Sequence, residues 1–159
     1  MDRYSLKRRS ISDAVYLKNN PNGDPFSFSP PKTLSEARLY GIGLGLYWGE
    51  GTKASKNAIR LGNTDPLLIK AFLEFLVRFF NVDRKDVQYG LQIFTDIDPE
   101  RAVAFWQKTL SIGRRQFYKP TITKSGSIGT YRKKSEYGVL TLYYHNKKLR
   151  ELFSKLMPR

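Results

Sequence analysis

Residues Leu39 to Gly51 read LYGIGLGLYWGEG, a run of thirteen in which five positions are glycine. Upstream, Thr33-Leu34-Ser35-Glu36 has the capping-box pattern: a hydroxyl for the third helical amide and a carboxylate to reach back to the cap's own amide. A helix is therefore predicted over 34–49. Gly41, Gly43, Gly45 and Gly49 then lie inside it, each less favourable than alanine by about 0.5–1 kcal/mol. Such a helix persists only where a close contact offsets the loss. Gly41, Gly45 and Gly49 recur every four residues, which puts them on one face and lets a second backbone approach.

Three arrangements use small residues in this way. A membrane-spanning helix pair needs about 20 apolar residues, and this run meets Glu50 after little more than half of that. A phosphate-binding loop sets its glycines between a strand and a helix, followed by Lys-Ser/Thr, whereas these sit within a helix. What remains is tight helix-to-helix packing that ends in a carboxylate, Glu50, between Gly49 and Gly51. An acid at a helix C-terminus faces the negative end of the dipole, a penalty of about 0.3–1 kcal/mol, so a cation beside it is expected.

Charge narrows the partner. The 159 residues carry 28 Lys+Arg against 14 Asp+Glu, a net +14, with no cysteine and one histidine. Without thiols or an imidazole cluster no ordinary zinc site forms, so any metal is held by oxygen. Between Ser111 and Arg150 the basic residues are Arg114, Arg115, Lys119, Lys124, Arg132, Lys133, Lys134, Lys147, Lys148 and Arg150, against Glu136 alone. An excess gathered in one stretch is the pattern of a nucleic-acid footprint, although a solvated basic face has the same composition. The start of the chain lacks the apolar core and cleavage site of a secretory signal, and with the missing cysteines this fits the cytoplasm.

The chain divides in two on this reading. Residues 1–32 form a basic N-terminal arm, with one short helix expected within 4–18, and a Pro/Gly/Asn-rich linker over 19–32 that holds four prolines. The folded domain spans 33–159. Asp65-Pro66 and Asp98-Pro99 are Asx caps followed by proline at the first helical position, opening helices over 66–80 and 99–110. Strands are expected over 58–62, 87–93, 117–123 and 137–145, and an amphipathic helix over 147–157. The class is α+β, without internal repeats.

The motif helix carries a resemblance. Gly43-Leu44-Gly45-Leu46-Tyr47-Trp48-Gly49-Glu50-Gly51 resembles the nonapeptide of the LAGLIDADG homing endonuclease family at Gly45, Leu46, Gly49, Glu50 and Gly51. It departs from that motif at Gly43, Leu44 and Trp48, the last standing where the family has its first acid. The resemblance continues through Asn63-Thr64-Asp65-Pro66, Phe105-Trp106 and Tyr137-Gly138-Val139-Leu140. It implies the LAGLIDADG-type fold, a curved antiparallel β-sheet saddle with a central motif helix. Because one motif is present, it also implies a homodimer whose helices cross through Gly41, Gly45, Leu46 and Gly49. Glu50 from each subunit would then meet at the two-fold axis and hold Mg²⁺, with the Gly49 carbonyl as a further ligand.

Phosphodiester hydrolysis suits such a site, because hard Mg²⁺ prefers carboxylate, carbonyl and water. Lys53, Lys119 and Lys134 are the candidates for a cation near the cleavage centre. Base edges are expected to be read from the strands by Arg60, Gln88, Gln92, Lys119 and Thr121, and phosphates to be met by Arg114, Arg115, Lys124, Arg132, Lys133 and Lys134. Tyr118 and Tyr131 are placed to stack on bases. His145, ending the pattern Leu142-Tyr143-Tyr144-His145, reads as a solvent-edge residue rather than a general base. The expected function is a Mg²⁺-dependent, site-specific endonuclease acting on double-stranded DNA. A non-cleaving DNA-binding transcriptional regulator and an RNA-binding or intron-splicing cofactor remain alternatives on the same surface, and no membrane partner is expected.

Overall fold

The structure, a computed structural model, describes residues 10–124 and 135–157. Five helices and a four-stranded sheet follow in the order α1 (Ile11–Asn19), α2 (Leu34–Glu50), β1 (Ile59–Asn63), α3 (Pro66–Phe80), β2 (Gln88–Phe94), α4 (Pro99–Leu110), β3 (Thr121–Thr123), β4 (Val139–Tyr144) and α5 (Lys147–Leu156). Both Asp-Pro signals act as expected. Asp65 accepts the Leu67 amide at 2.8 Å and Asp98 the Glu100 amide at 2.9 Å, and each following proline begins its helix without an amide to satisfy.

The sheet order is β1-β4-β2-β3. β4 pairs antiparallel with both β1 and β2, while β3 pairs parallel with β2. The sheet is therefore mixed, where a wholly antiparallel one was expected. A parallel neighbour needs a crossover connection, and α4 supplies it between β2 and β3. The expected strand over 117–123 shrinks to three residues because Pro120 has no amide to donate to the ladder. Lys119 thus precedes the strand instead of standing on it; before Pro120, Phe117 makes only an isolated bridge to Tyr89.

One face of the sheet is the core. Ile59, Leu61, Leu140, Leu142, Tyr89, Leu91 and Ile93 point into it, against α3, α4 and α5. Its centre is aromatic: Tyr47 stacks on Phe72 with ring centroids 6.1 Å apart and meets Phe153 edge-on at 5.0 Å, and Phe75 packs on Phe72, Phe79 and Phe80. Such pairs contribute beyond their buried area, by about 0.5–1.5 kcal/mol each. Gly138 is required where it stands. Its φ is +73°, and a Cβ there would lie 2.4 Å from the Gln92 carbonyl oxygen.

The segment before α2 is docked onto the domain. Ser27 and Ser29 donate their amides to the Phe80 and Phe79 carbonyls at 3.1 and 2.8 Å, and the Phe28 ring lies on Phe80 and Tyr40. α1 is held to the start of α5, where Asn146 donates to the buried Tyr16 hydroxyl at 3.1 Å and Lys147 pairs with Asp13 at 2.8 Å. That lysine holds the Asp13 carboxyl well below its ordinary range, at about 2. Among the described residues no helix is long and apolar enough to cross a membrane.

Candidate nucleic-acid interface and motif helix

α2 begins as its sequence dictates, with one adjustment. The Thr33 hydroxyl accepts the Glu36 amide at 3.2 Å, but the Glu36 carboxylate takes the Lys32 amide at 2.7 Å in place of the expected Thr33 amide. An ion pair with Arg78 of α3 draws it there. These two contacts, the Lys32 amide first, hold the Glu36 carboxyl below its usual range.

The glycines of α2 separate by face. Gly43 is buried, and a Cβ on it would fall 2.1 Å from the Phe75 ring, so this glycine brings α2 onto α3. Gly41, Gly45 and Gly49 are exposed, and a Cβ on any of them meets nothing within 4 Å. The three are thus on one bare edge of the helix, beside the exposed Ile42 and Trp48 and the half-buried Leu46.

At the end of that edge stands Glu50. It is exposed, and among the described residues its carboxylate makes no ion pair or hydrogen bond. The Tyr47 carbonyl accepts the Gly51 amide at 2.9 Å and the Trp48 carbonyl accepts the Lys53 ammonium. Lys53 is therefore a cation at the negative end of the helix, where the dipole favours it. Its loop is held from behind by Arg150, which is 9% exposed and donates to the Lys53 and Ser55 carbonyls at 2.7 and 2.9 Å. Chain 51–52 then lies along β1, through a bridge from Gly51 to Leu61 and a 2.9 Å bond from the Thr52 amide to the Arg60 carbonyl.

This placement separates the lysine candidates. Lys53 caps the motif helix beside β1, whereas Lys119 precedes β3 at the opposite edge of the sheet, about 14 Å away at ordinary strand spacing. Lys134 lies outside the described residues. So do Arg132, Lys133 and Tyr131.

The second face of the sheet is open and polar. Its register sets Arg60, Tyr143 and Gln88 in one row, Gly62, Thr141 and Gly90 in the next, then Val139, Gln92 and Thr121. Gln92 donates to the Thr123 hydroxyl at 3.2 Å. In the first row the Arg60 guanidinium lies 5.3 Å above the Tyr143 ring, and Tyr143 in turn leans over Gly90, where a Cβ would be 3.0 Å from it. His145 stacks parallel to Tyr143 at 6.1 Å and bonds the Tyr118 hydroxyl through Nε2 at 2.9 Å. The sequence pattern placed His145 at a solvent edge. It is exposed, yet it belongs to this aromatic cluster, and the signal was its two-residue offset from Tyr143 on the same strand face.

The basic excess between 111 and 150 is smaller in space than in sequence. Arg114 pairs with Glu100 at 3.1 Å, Lys147 with Asp13 and Lys148 with Asp24 at 2.9 Å, and Arg150 is turned inward onto carbonyls. Three of those partners lie outside the stretch. Arg115 and Lys119 remain exposed, beside the open face's β3 edge.

As to metal, one chain offers a single carboxylate at the motif end. Among the described residues no three acids or histidines gather to hold an ion. Mg²⁺ commonly takes one or two carboxylates and completes its octahedron with water and substrate phosphate, so the donors fit once a second copy adds its Glu50. Comparison with family models, with curated proteins and with solved structures finds no match to this chain.

Proposed function

We propose that the protein is a homodimeric, Mg²⁺-dependent endonuclease acting on double-stranded DNA, of the LAGLIDADG homing endonuclease type. The observation that carries this reading is the bare Gly41-Gly45-Gly49 edge of α2 running into an unpartnered Glu50. Two copies crossing on that edge bring their backbones close and set their two carboxylates side by side. Bound there, Mg²⁺ would supply Lewis-acid stabilisation to a phosphoryl oxygen and a more acidic water. Glu50 would hold the ion, and the Gly49 carbonyl, which accepts from no side chain among the described residues, would be a further oxygen ligand. Lys53 keeps its ammonium at the helix end, and Arg150 fixes the loop that carries it. The open face, with Gln88, Gln92 and Thr121, offers donors and acceptors to base edges, and Arg60 adds a cation to it.

A non-cleaving DNA-binding regulator is the second reading, favoured by one observation: Trp48 stands, 58% exposed, where the motif's first acid would be. Cleavage of genomic fragments with Mg²⁺ and with EDTA, run beside Glu50→Gln, separates the two. The endonuclease reading expects Mg²⁺-dependent double-strand cutting that Glu50→Gln reduces below detection without loss of duplex binding. Tight duplex binding with no cutting under any divalent ion overturns it in favour of the regulator, and preference for structured RNA at matched salt overturns both.

A further inference from the structure

The row of the open face nearest Tyr118 differs from the rest of it. Elsewhere the face offers neutral amides and hydroxyls, from Gln92, Thr121, Thr123 and Thr141. Here it offers a guanidinium, two phenols and the chain's one imidazole. Arg60 has no ion pair among the described residues, and its Nε is buried without a hydrogen-bond partner. A guanidinium has five donors and no acceptor, so an idle buried donor beside an idle charge awaits an anion. The guanidinium is held 5.3 Å above the Tyr143 ring, a cation–π contact that positions it.

We propose that Arg60, Tyr118, Tyr143 and His145 form a proton-linked phosphodiester site, at which Arg60 and His145 together take one phosphate of the nucleic-acid backbone. The proposal rests on the DNA-binding reading above and adds to it a fixed anchoring point and a pH dependence. Arg60 faces the imidazole from β1, Tyr118 from the segment before β3, and Tyr143 from its own strand. Partial desolvation by its neighbours, and after it the charge of Arg60, keeps the His145 imidazole below its ordinary pKa, so near neutrality it is uncharged in the free protein. In that form Nε2 is able to accept the Tyr118 hydroxyl proton.

A phosphate on Arg60 removes the second of those causes and adds an attraction of its own. The imidazole then takes up one proton from solvent. As a cation its Nε2 is only a donor, so the 2.9 Å bond to Tyr118 reverses and the phenolic hydrogen is released toward the phosphate oxygen. Anion binding and protonation thus favour each other, and by linkage the affinity for duplex rises as pH falls through the imidazole range. Arg60 is a direct phosphate ligand, and Tyr143 is a positioning residue that holds Arg60 and His145 in register.

The test uses the full chain and a mixed-sequence duplex, because a backbone contact needs no particular target. Since His145 is the only histidine, its ring protons give one NMR titration. The free protein is expected to titrate below about 6.5 and the duplex complex at least about one pH unit higher. Duplex affinity at fixed salt is expected to tighten about tenfold between about pH 7.5 and about pH 5.5, and His145→Gln and Arg60→Gln are expected to flatten that slope. Duplex binding with an unmoved imidazole, or with a slope that survives His145→Gln, overturns this inference and leaves the DNA reading standing. No duplex binding at any pH overturns both.

Discussion

On the inner side of α2, Gly43 lies under the Phe75 ring and Tyr47 is 1% exposed, bracketed by Phe72 and Phe153. On the outer side Gly41, Gly45 and Gly49 face solvent with nothing within 4 Å of the places their Cβ atoms would take. The same residue type thus does opposite things on one helix. Inside, glycine is demanded by the neighbour already present. Outside, it costs helix stability and, among the described residues, nothing packs on it; the proposed second backbone would supply that contact. On the proposed reading the helix lies between its own core and a copy of itself.

The comparison is broken most severely from the inner side. Gly43→Ala drives a methyl into a ring locked among Phe72, Phe79 and Phe80, and it is expected to destabilise the monomer by about 3 kcal/mol in urea unfolding. Arg150→Met is next. It leaves the Lys53 and Ser55 carbonyls without their donor and is expected to cost about 1–3 kcal/mol. Faster amide exchange over 52–57 should accompany it and, on the endonuclease reading, slower cleavage.

Smaller effects sharpen the contrast. The Tyr47 hydroxyl is buried without a hydrogen-bond partner, so Tyr47→Phe is expected to stabilise by about 1 kcal/mol. Burial raises the Tyr47 phenol, against a smaller opposite effect of Arg150, so the fold favours its neutral form. Stability from that source is full below the ordinary tyrosine pKa, about 10, and is lost as pH rises beyond it. The advantage of Tyr47→Phe should therefore grow in alkali, as thermal unfolding at rising pH will show. On the outer side, Gly45→Ala is expected to stabilise the isolated subunit by about 0.5–1 kcal/mol while weakening self-association. A stability change of the same sign as Gly43→Ala would erase the distinction between the two faces.

Much of the fold was legible because local chemistry wrote it. The Asp-Pro caps give the starts of Pro66–Phe80 and Pro99–Leu110, and the helix spacing of Leu149, Phe153 and Leu156 gives α5. The short β3 was readable too, since Pro120 sits within the expected strand. What local pattern does not encode is long-range polar contact. Tyr16 meets Asn146 across 130 positions, and Arg150 counts as a surface cation by composition yet is buried on the Lys53 loop. The candidate site shows the same division. The glycine spacing and Glu50 are visible in a string of letters, whereas the cluster of Arg60, Tyr118, Tyr143 and His145 draws on three separate segments and exists only once the sheet has formed.

Sedimentation equilibrium of the wild-type chain beside Gly45→Leu, with duplex and Mg²⁺ present, reaches the core of this account. Wild type should bind duplex as a two-subunit assembly, and Gly45→Leu, equally well folded, should remain single. A wild-type protein that stays a lone subunit on saturating duplex, or a Gly45→Leu that pairs as readily as wild type, would contradict it.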